Sequence, residues 1–580
     1  MFLFLQKRVS FFIALFLVGF LFSTAQPVLA ADALFVDATA GIDAWAGGPN
    51  DCLQTIWVGI QAPPCRTLAH AISQASNGDT IHAVGTFNEH TLIINKNITI
   101  DGGRVDANGN GKHFEIGSGK NVTLQNMFLV NGESSVGGSI FNAGFLTIDN
   151  VEFFDNIADQ GGAIYNDIEG FMTITFSNFY DSKALTQEGG AIFNEGDASI
   201  RSAIFVDSEA KTFGGTLFNT EYGDTSFAES YIYRSTAENG GAIYNMMGEV
   251  SFLSGGIYDS VALVSGGGIM NVQGDLFLER STIQTNTAGH DGGGVFNTTD
   301  GDDNVIFYQM DFNSNTAENF GGAVYNFSAN SEFGFYGSSF VGNHAERWGG
   351  ALYLMGNSDV KIGSFGDDTT LFSSNTAVFY GGAIYNELSL TIEETTIKNG
   401  SAWEGGAVYN SNDGNLAIDR SALLDNVGNF RGGAIFNNST GDFITVNSTY
   451  SGNDALSFGG AIYHEGAVAR VANVTMYGNI SLNGGGIFTE SNVQMHNSII
   501  TASSVSDCGV AGAGAFSGQR NLVDDFAAGP CSSISPNAIS QIDPVRTGTP
   551  AVHTINGLSN AYNNGHSNCP DPLNGFAPLL

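Results

Sequence analysis

Two pairs of adjacent aspartates could supply oxygen ligands for a Ca²⁺ ion. Asp302-Asp303 and Asp367-Asp368 both lie in segments that are longer than their counterparts elsewhere in the chain. Ca²⁺ is bound by carboxylate and carbonyl oxygens of flexible loops. Acidic pairs also occur in solvated turns, which is the simpler interpretation here. We therefore predict no cofactor and keep Ca²⁺ as the one metal candidate.

Two further clusters combine basic and acidic side chains of the kinds that act on polysaccharides. They consist of His344, Glu346, Arg347 and Trp348 in one cluster and His464, Glu465 and Arg470 in the other. A polysaccharide lyase needs a basic residue, often beside acidic Ca²⁺ ligands, and a glycosidase needs two carboxylates at a set separation. The clusters are four sequence repeats apart, or about 19 Å if each repeat is one coil of stacked strands. We therefore predict that they do not form one site, assign no catalytic residue and favour a protein that is not an enzyme.

The elements that would position these residues are set by a repeat of the form Gly-Gly-Ala-Ile-Tyr-Asn, which stands at 161–166. Close variants occur fourteen times, at steps of 24 to 32 residues. Such a period is typical of a solenoid. The first glycines of the copies are Gly137, Gly161, Gly189, Gly214, Gly240, Gly266, Gly292, Gly321, Gly349, Gly381, Gly405, Gly432, Gly459 and Gly484.

Each place of the motif has its own residue type. The two glycines suit a tight corner, and the third residue is small. The fourth is Ile, Val or Leu, and we expect it to point inward. The sixth is Asn in eleven copies, and we expect its amide to bond the next copy's Asn in a ladder. Examples of the fourth and sixth places are Ile164, Asn166, Ile192, Asn194, Ile243, Asn245, Ile384, Asn386, Ile435 and Asn437.

The fifth place is Phe or Tyr in every copy except Met270. Alternation along a strand would then point these rings outward as a stripe, although the inward and outward sets could be exchanged. An outward stripe could bind sugar faces, or its rings could pack on one another, and packing is the simpler interpretation.

Each period contains about three short β-type segments separated by turn residues. One follows the glycine motif, as at 145–148, and another carries an aromatic residue three places before Asn, as in Phe340 to Asn343. No segment of helical length fits between these breakers. We predict an all-β, single-stranded parallel β-helix over 121–500, in which the thirteen steps would span about 60 Å.

The pattern changes at both ends. Leu68, Ala71, Ile72 and Ala75 have helical spacing, which predicts a cap helix within an N-terminal region of cap and first coils over 31–120. The period stops near residue 500, which predicts a C-terminal cap over 501–580. Terminal repeats must differ because an open end exposes core and strand edges.

Composition and the N-terminus indicate export. Residues 1–30 have a basic start, an apolar run and Val28-Leu29-Ala30, as in a signal peptide. The net charge is −37, or −39 without that segment, which argues against nucleic acid as a partner. No later segment has the length of a membrane span. We predict a secreted or cell-surface protein, without a membrane-spanning segment in the mature chain, that is a monomer.

Five cysteines remain after the signal segment. Cys52 and Cys65 are close in sequence, and so are Cys508 and Cys531, which predicts two local disulfides in an oxidising compartment. Cys569 is left over, so other pairings remain open.

The repeats resemble the polymorphic outer membrane protein repeat family, which pairs a Gly-Gly-Ala-Ile motif with a Phe-x-x-Asn motif. The wider likeness is to pectin lyase-like right-handed β-helix proteins. The stretch Asn497-Ser498-Ile499-Ile500, with Asp507-Cys508, Asn521-Leu522, Cys531 and Asp543-Pro544, is similar to the choice-of-anchor Q region of bacterial surface proteins. The resemblance implies a right-handed β-helix displayed or released at the cell surface, often as an adhesin.

Two functional hypotheses follow. The first is a non-catalytic extracellular β-helix that acts in adhesion or surface structure and contacts a host or neighbouring cell surface or a polysaccharide. The second is a carbohydrate-active enzyme, either a polysaccharide lyase or a glycoside hydrolase, or a glycan-binding relative on the same fold.

Overall fold

The computed structural model describes residues 32–45, 48–49, 52–53, 56–57, 60–61, 63–301, 303–329, 332–523, 530–531 and 534. The predicted signal segment, Cys569 and most of the predicted C-terminal cap lie outside these residues. In these residues the chain forms a right-handed parallel β-solenoid of about 16 turns with one short helix. This confirms the predicted fold class. Among the described residues, no helix is long and apolar enough to cross a membrane.

A full coil contains four strands, one in each of four parallel sheets. One coil runs through Ile140–Asn142 in the motif sheet, Phe145–Asp149 in the long-strand sheet, Glu152–Phe154 in the aromatic-strand sheet and Ile157–Gln160 in the short-strand sheet. The sequence predicted about three segments. The fourth strand has only two residues in many coils, as at Thr316–Ala317, so it is too short to show an alternating pattern.

The strands of each sheet pair in parallel with their counterparts in the coils above and below. The motif sheet contains Leu92–Ile94, Phe114–Ile116, Ile140–Asn142, Ile164–Asn166, Ile192–Asn194, Leu217–Asn219, Ile243–Met246, Ile269–Val272, Val295–Asp300, Val324–Ala329, Leu352–Gly356, Ile384–Asn386, Val408–Asn410, Ile435–Asn437, Ile462–His464, Ile487–Thr489 and Cys508–Val510. The short-strand sheet contains Glu133–Val136, Ile157–Gln160, Lys183–Ala184, Glu209–Ala210, Thr236–Ala237, Val261–Ala262, Thr287–Ala288, Thr316–Ala317, His344–Ala345, Thr376–Ala377, Ser401–Glu404, Val427–Arg431 and Asp454–Ala455.

The other two sheets complete the coils. The long-strand sheet contains Ala33–Asp37, Thr80–Val84, Ile98–Asp101, Asn121–Gln125, Phe145–Asp149, Phe171–Thr175, Asp197–Arg201, Asp224–Ala228, Glu249–Leu253, Asp275–Glu279, Asn304–Tyr308, Glu332–Tyr336, Asp359–Gly363, Ser389–Glu393, Leu416–Asp419, Phe443–Val446, Ala469–Ala472, Asn492–His496 and Ala515–Gln519. The aromatic-strand sheet contains Thr86–Phe87, Arg104–Asp106, Phe128–Val130, Glu152–Phe154, Asn178–Tyr180, Ile204–Val206, Tyr231–Tyr233, Gly256–Tyr258, Thr282–Gln284, Asp311–Asn313, Ser339–Val341, Thr370–Ser373, Thr395–Lys398, Ala422–Leu424, Thr449–Ser451, Thr475–Tyr477, Ile499–Thr501 and Leu522–Val523. Two short antiparallel pairs lie near the N-terminus, Ala44–Trp45 with Gly48–Pro49 and Ile56–Trp57 with Ile60–Gln61.

The core is a set of side-chain columns that run along the rod. Fourth-place aliphatic residues are fully buried and in register, as Ile164 is with Ile192. Burying each contributes about 1.5–3 kcal/mol. Rings from the aromatic-strand sheet stack inside as well, with Phe179 centred 4.3 Å from Phe153 and 4.6 Å from Phe205.

Sixth-place asparagines form a buried ladder. Asn166 Nδ2 donates to Asn194 Oδ1 at 2.8 Å, and Asn245 Nδ2 donates to Asn271 Oδ1 at 2.7 Å. The same amides donate to turn carbonyls, such as Gly248 O at 2.9 Å from Asn245 Nδ2. The buried amides thus form hydrogen bonds with one another and with backbone carbonyls of the turn that follows each motif strand.

The motif glycines are required by close backbone approach. The first glycine of every pair has a positive φ, and a Cβ at Gly381 would lie 2.2 Å from the Ile384 carbonyl oxygen. A Cβ on the second glycine, Gly382, would lie 2.2 Å from the carbonyl oxygen of Gly406 in the next coil. Both positions therefore exclude any larger residue.

The N-terminal end is closed by helix α1, Leu68–Gln74, and by the edge strand Ala33–Asp37. Leu68, Ala71 and Ile72 face the core, as their spacing predicted. The Glu89 carboxylate accepts from the amides of Leu68 and Ala69 at the start of the helix, both at 2.8 Å. The strand Thr80–Val84 pairs in parallel with the edge strand along its full length.

Both predicted cysteine pairs form disulfides, Cys52 with Cys65 and Cys508 with Cys531. The first lies beside the edge strand, because Phe35 N donates to Cys52 O and Val36 forms a bridge with Cys65. The second joins the last motif strand to the chain beyond the last coil. Each end of the rod therefore carries one crosslink.

Candidate functional site

The fifth-place rings form a stripe on the outer side of the motif sheet, opposite the core columns. One run extends from Phe141 to Tyr244 and a second from Phe296 to Phe488, with Met270 between them. Consecutive rings are stacked, with centroids 5.0 Å apart for Tyr353 and Tyr385. Alternation along the strand thus separates these rings from the Ile and Asn columns inside.

The stripe is nevertheless shielded from solvent. Residues that stand directly before several of the glycine pairs lie over it, among them Phe213, Phe320, Trp348, Tyr380 and Phe458, and we call their positions the covering column. Trp348 lies 5.0 Å from Tyr385, Tyr380 lies 4.5 Å from Tyr409, and Phe458 lies 4.6 Å from Phe488. Tyr353 is only 4% exposed as a result. The ring faces are used in packing, so the stripe offers no row of open faces to a sugar.

The covering column changes from aromatic to charged in two adjacent coils. Glu404 and Arg431 occupy the positions that Tyr380 and Phe458 hold on either side. The Arg431 guanidinium takes the place of a ring, with its carbon 4.8 Å from the Phe436 centroid and 4.7 Å from that of Tyr463. Arginine over aromatic faces is a favourable cation–π arrangement.

Hydrogen bonds join this pair to the outer edge of the stripe. Arg431 Nε donates to Glu404 Oε1 at 2.7 Å, and its Nη1 donates to the Tyr463 hydroxyl at 3.0 Å. That hydroxyl lies 2.6 Å from Glu490 Oε1 and 3.2 Å from Glu465 Oε2. We call these five residues the Arg431 cluster. It contains three carboxylates and one guanidinium, so it is acidic when all are ionised.

Burial sets the protonation chemistry of the Arg431 cluster. It raises the pKa of Glu404, against the opposing effect of the Arg431 hydrogen bond and charge. Burial also raises the pKa of Tyr463, and the bond to Glu490 raises it further. Tyr463 is therefore a neutral phenol at physiological pH, able to donate one hydrogen bond but not to act as a base. Hydrogen bonds hold the five side chains of the cluster in fixed positions, and its carboxylates can accept further hydrogen bonds from a ligand.

In the described residues, the acidic pairs considered for Ca²⁺ do not belong to a group of three potential metal ligands. Asp302 lies outside the described residues, and Asp303 lies at the turn before the strand Asn304–Tyr308. Asp367 and Asp368 are exposed in a tight turn, where Asp368 Oδ2 accepts from Gln309 Nε2 at 2.5 Å. In the described part of the chain, the one group of three potential metal ligands is Cys52, Cys65 and His70, and its cysteines are joined in a disulfide.

The cluster around 344–348 separates onto two surfaces. His344 is in the short-strand sheet, with Nδ1 2.8 Å from Thr376 Oγ1 and Nε2 3.3 Å from Glu346. Trp348 packs in the covering column instead. Leu354, which replaces the sixth-place Asn of this copy, is buried in the core.

The cluster around 464–470 is also divided. His464 is buried in the ladder, with Nδ1 2.9 Å from Asn437 Nδ2, and burial lowers its pKa to about 4. Glu465 points outward into the Arg431 cluster. Arg470 is in the long-strand sheet and donates to Asp442 Oδ1 at 2.9 Å. His464 is thus a structural substitute for Asn.

Sequence reasoning singled out Glu465 but missed Glu404, Arg431, Tyr463 and Glu490. A signal was present, because Glu404 and Arg431 stand directly before Gly405 and Gly432, where the neighbouring copies have Tyr380 and Phe458. Extending the alignment one place before the glycine pair shows Phe320, Trp348, Tyr380 and Phe458 around these two charged residues, although earlier copies also have charged residues there, such as Glu188 and Asp291.

Comparison with protein families identifies two segments, 150–167 and 369–387, as similar to the Chlamydia polymorphic membrane protein (Chlamydia_PMP) repeat. Both segments include a Phe-x-x-Asn sequence, and both extend into the following glycine motif. The chain therefore has two segments similar to this repeat within a parallel β-solenoid. A comparison with curated proteins finds no match.

Proposed function

We propose that this chain is a secreted or cell-surface β-helix that acts in adhesion or surface structure and has no catalytic role. The observation that carries the proposal is the occurrence of Chlamydia polymorphic membrane protein repeats in a regular rod. Such a rod holds side chains at fixed spacing over a long surface, which suits contact with a host or neighbouring cell surface or with a polysaccharide. The net charge of −37 disfavours nucleic acid.

Cell fractionation tests the location and a binding assay tests the role. We expect the protein in the medium or the cell envelope, and we expect purified protein immobilised on beads to retain cells. Recovery in the cytosol, or failure of the beads to bind any cell type or polysaccharide tested, would contradict this proposal.

A glycan-binding or carbohydrate-active protein is the alternative, and the Arg431 cluster is the observation that favours it. Glu465 and Glu490 lie beside a Tyr hydroxyl and a guanidinium, all of which can bond sugar hydroxyls. A panel of acidic and neutral polysaccharides, with and without Ca²⁺, distinguishes the two functions. Cleavage that is lost in Glu490→Gln would establish the alternative, whereas unchanged chain length in every polysaccharide supports the first proposal.

A further inference from the structure

An uncovered apolar surface runs along the short-strand sheet at the C-terminal end of the rod. Its members are outward-facing apolar residues from five successive coils, and all but the half-buried Phe430 are at least 36% exposed. We call it the C-terminal ridge. It consists of Val378, Phe379, Trp403, Val427, Phe430, Leu456, Ile480 and Leu482.

The same column of positions is mostly charged elsewhere on the rod. Strand register aligns Val378, Trp403, Asn429, Leu456 and Leu482 in one column, two residues after the start of each short strand or its continuation. The corresponding residues in the preceding coils are Asp159, Leu185, Lys211, Glu238, Leu263, Gly289, Glu318 and Glu346. Apolar residues thus hold two of these eight positions but four of the last five, where Asn429 is the exception and Phe430 stands beside it. Contiguous exposed apolar patches mark interaction surfaces, whereas single exposed residues do not.

The fold does not need the ridge side chains. The inward positions beside them are filled by small buried residues, Ala377, Ala402 and Ala455. The corner is one residue shorter at Trp403, where the register shifts between Ala402 and Glu404. Trp403 consequently stacks on Phe430 with centroids 5.5 Å apart while remaining 47% exposed.

The ring arrangement distinguishes between classes of partner. Trp403 and Phe430 stack along the rod, and the Arg431 guanidinium lies 5.2 Å from the Phe430 centroid. Phe430 therefore has the Trp403 ring and a cation close to it, so the faces that the two rings turn toward each other are not open to a sugar. Apolar side chains of a protein can pack against edges, whereas a sugar ring stacks on open faces.

Charge further specifies the partner. Asp454 lies between Val427 and Ile480 in the strand ladder, and Glu465 and Glu490 lie in the adjoining Arg431 cluster. The whole chain carries −37. A second copy would bring these carboxylates against their own counterparts. The complementary surface is an apolar protein patch bordered by Lys or Arg.

We propose that the C-terminal ridge is the docking surface for a partner protein that presents an apolar patch bordered by basic side chains. This inference rests on the proposed adhesive function and specifies the part of the rod that makes contact. Trp403 and Leu456 are its central anchors, since aromatic and large apolar residues dominate binding energy at interfaces.

The experiment compares two double variants of the full-length protein. Trp403→Ser with Leu456→Ser removes the centre of the ridge. Leu185→Ser with Leu263→Ser is the matched control, because these leucines hold the same column positions and are 56% and 66% exposed, while Leu456 is 65% exposed. Circular dichroism and thermal melting should be unchanged in both, since all four residues face solvent.

The probe is a labelled amphipathic helical peptide of leucine and lysine, followed by fluorescence anisotropy, with a leucine–glutamate peptide as its counterpart. We expect the lysine peptide to bind the wild type and the control equally, and the ridge variant at least about tenfold more weakly. We expect added NaCl to weaken binding. Equal binding to both variants, or equal binding of the glutamate peptide, would overturn the proposal.

Two further measurements test whether a second copy of the chain or a glycan, rather than a partner protein, binds the C-terminal ridge. Sedimentation of a wild-type dimer that the ridge variant abolishes would assign the ridge to a second copy, and loss of neutral polysaccharide binding in the ridge variant would assign it to glycans. Either result overturns the proposal. Retention of cells by beads carrying the ridge variant at the wild-type level would refute the docking site while leaving the adhesive function standing.

Discussion

Arg431 and Glu404 form an ion pair between adjacent coils, with Arg431 Nε 2.7 Å from Glu404 Oε1, at positions where the flanking coils place aromatic rings. The Glu404 side chain is 6% exposed. A buried carboxylate without its partner is strongly destabilising, whereas replacing both partners by apolar groups is often neutral.

The first prediction concerns this pair. Arg431→Met should lower the free energy of unfolding by about 3 kcal/mol, because Glu404 would remain buried and unpaired. Arg431→Phe combined with Glu404→Tyr should recover most of that loss by extending the aromatic covering column. Urea denaturation of the two variants and the wild type measures the difference. A double variant that is as unstable as Arg431→Met would show that the pair is not coupled in this way.

The second prediction concerns pH. His464 has its pKa lowered to about 4 by burial, from an ordinary value of 6.5. Between these values the unfolded chain binds a proton that the folded chain does not, so stability falls as the pH is lowered from about 6.5 to 4. The loss attributable to His464 is roughly 3 kcal/mol. His464→Asn, which restores the residue found at this place in most copies, should remove it.

Melting temperatures of the wild type and His464→Asn across this pH range provide the measurement. His113 is also buried with its pKa lowered to about 4, and it is present in both proteins, so the difference isolates His464. Parallel curves for the two proteins would refute the assignment.

The third prediction concerns the asparagine ladder. Asn245 accepts from Asn219 at 2.8 Å and donates to Asn271 at 2.7 Å, whereas Asn326 accepts from Asn297 and donates to Ser328 beside the apolar Leu354. Asn245→Leu should cost about 1–3 kcal/mol for each neighbour left unsatisfied, and Asn326→Leu should cost less. Denaturation midpoints compare them, and a larger loss at Asn326 would contradict the expectation.

The fourth prediction separates backbone strain from steric clash. Gly381 and Gly366 have φ values of +66° and +63°, but a Cβ at Gly381 would lie 2.2 Å from the Ile384 oxygen and one at Gly366 would meet nothing within 4 Å. Gly366→Ala should cost only about 1–2 kcal/mol for the left-handed conformation. Gly381→Ala should cost clearly more. Thermal melting of both variants tests this, and equal losses would attribute the glycine requirement to φ alone.

The sequence specified the coil better than the surface. Periodicity and the alternation of Ile164, Tyr165 and Asn166 predict an inner and an outer side, because a strand allows only two faces. The sequence could not predict that Trp348 and Tyr380 cover the outer rings, because that contact depends on how the corner folds back over the sheet. The sixth place of its motif already aligns His464 with the asparagine ladder, but the burial that lowers its pKa could not be predicted from the sequence. Trp403 gave no signal either, since its exposure and its stacking on Phe430 depend on how the corner folds.

The two terminal disulfides have a mechanical consequence. Hydrogen bonds between coils run along the rod axis, and each coil contacts only its neighbours, so a rod pulled from its ends would peel one turn at a time. Peeling begins where a coil has a neighbour on one side only. Cys52–Cys65 and Cys508–Cys531 hold those outermost turns in place. In an oxidising medium, a rod under tension would therefore resist fraying at both of its ends, where an uncrosslinked solenoid would begin to unravel.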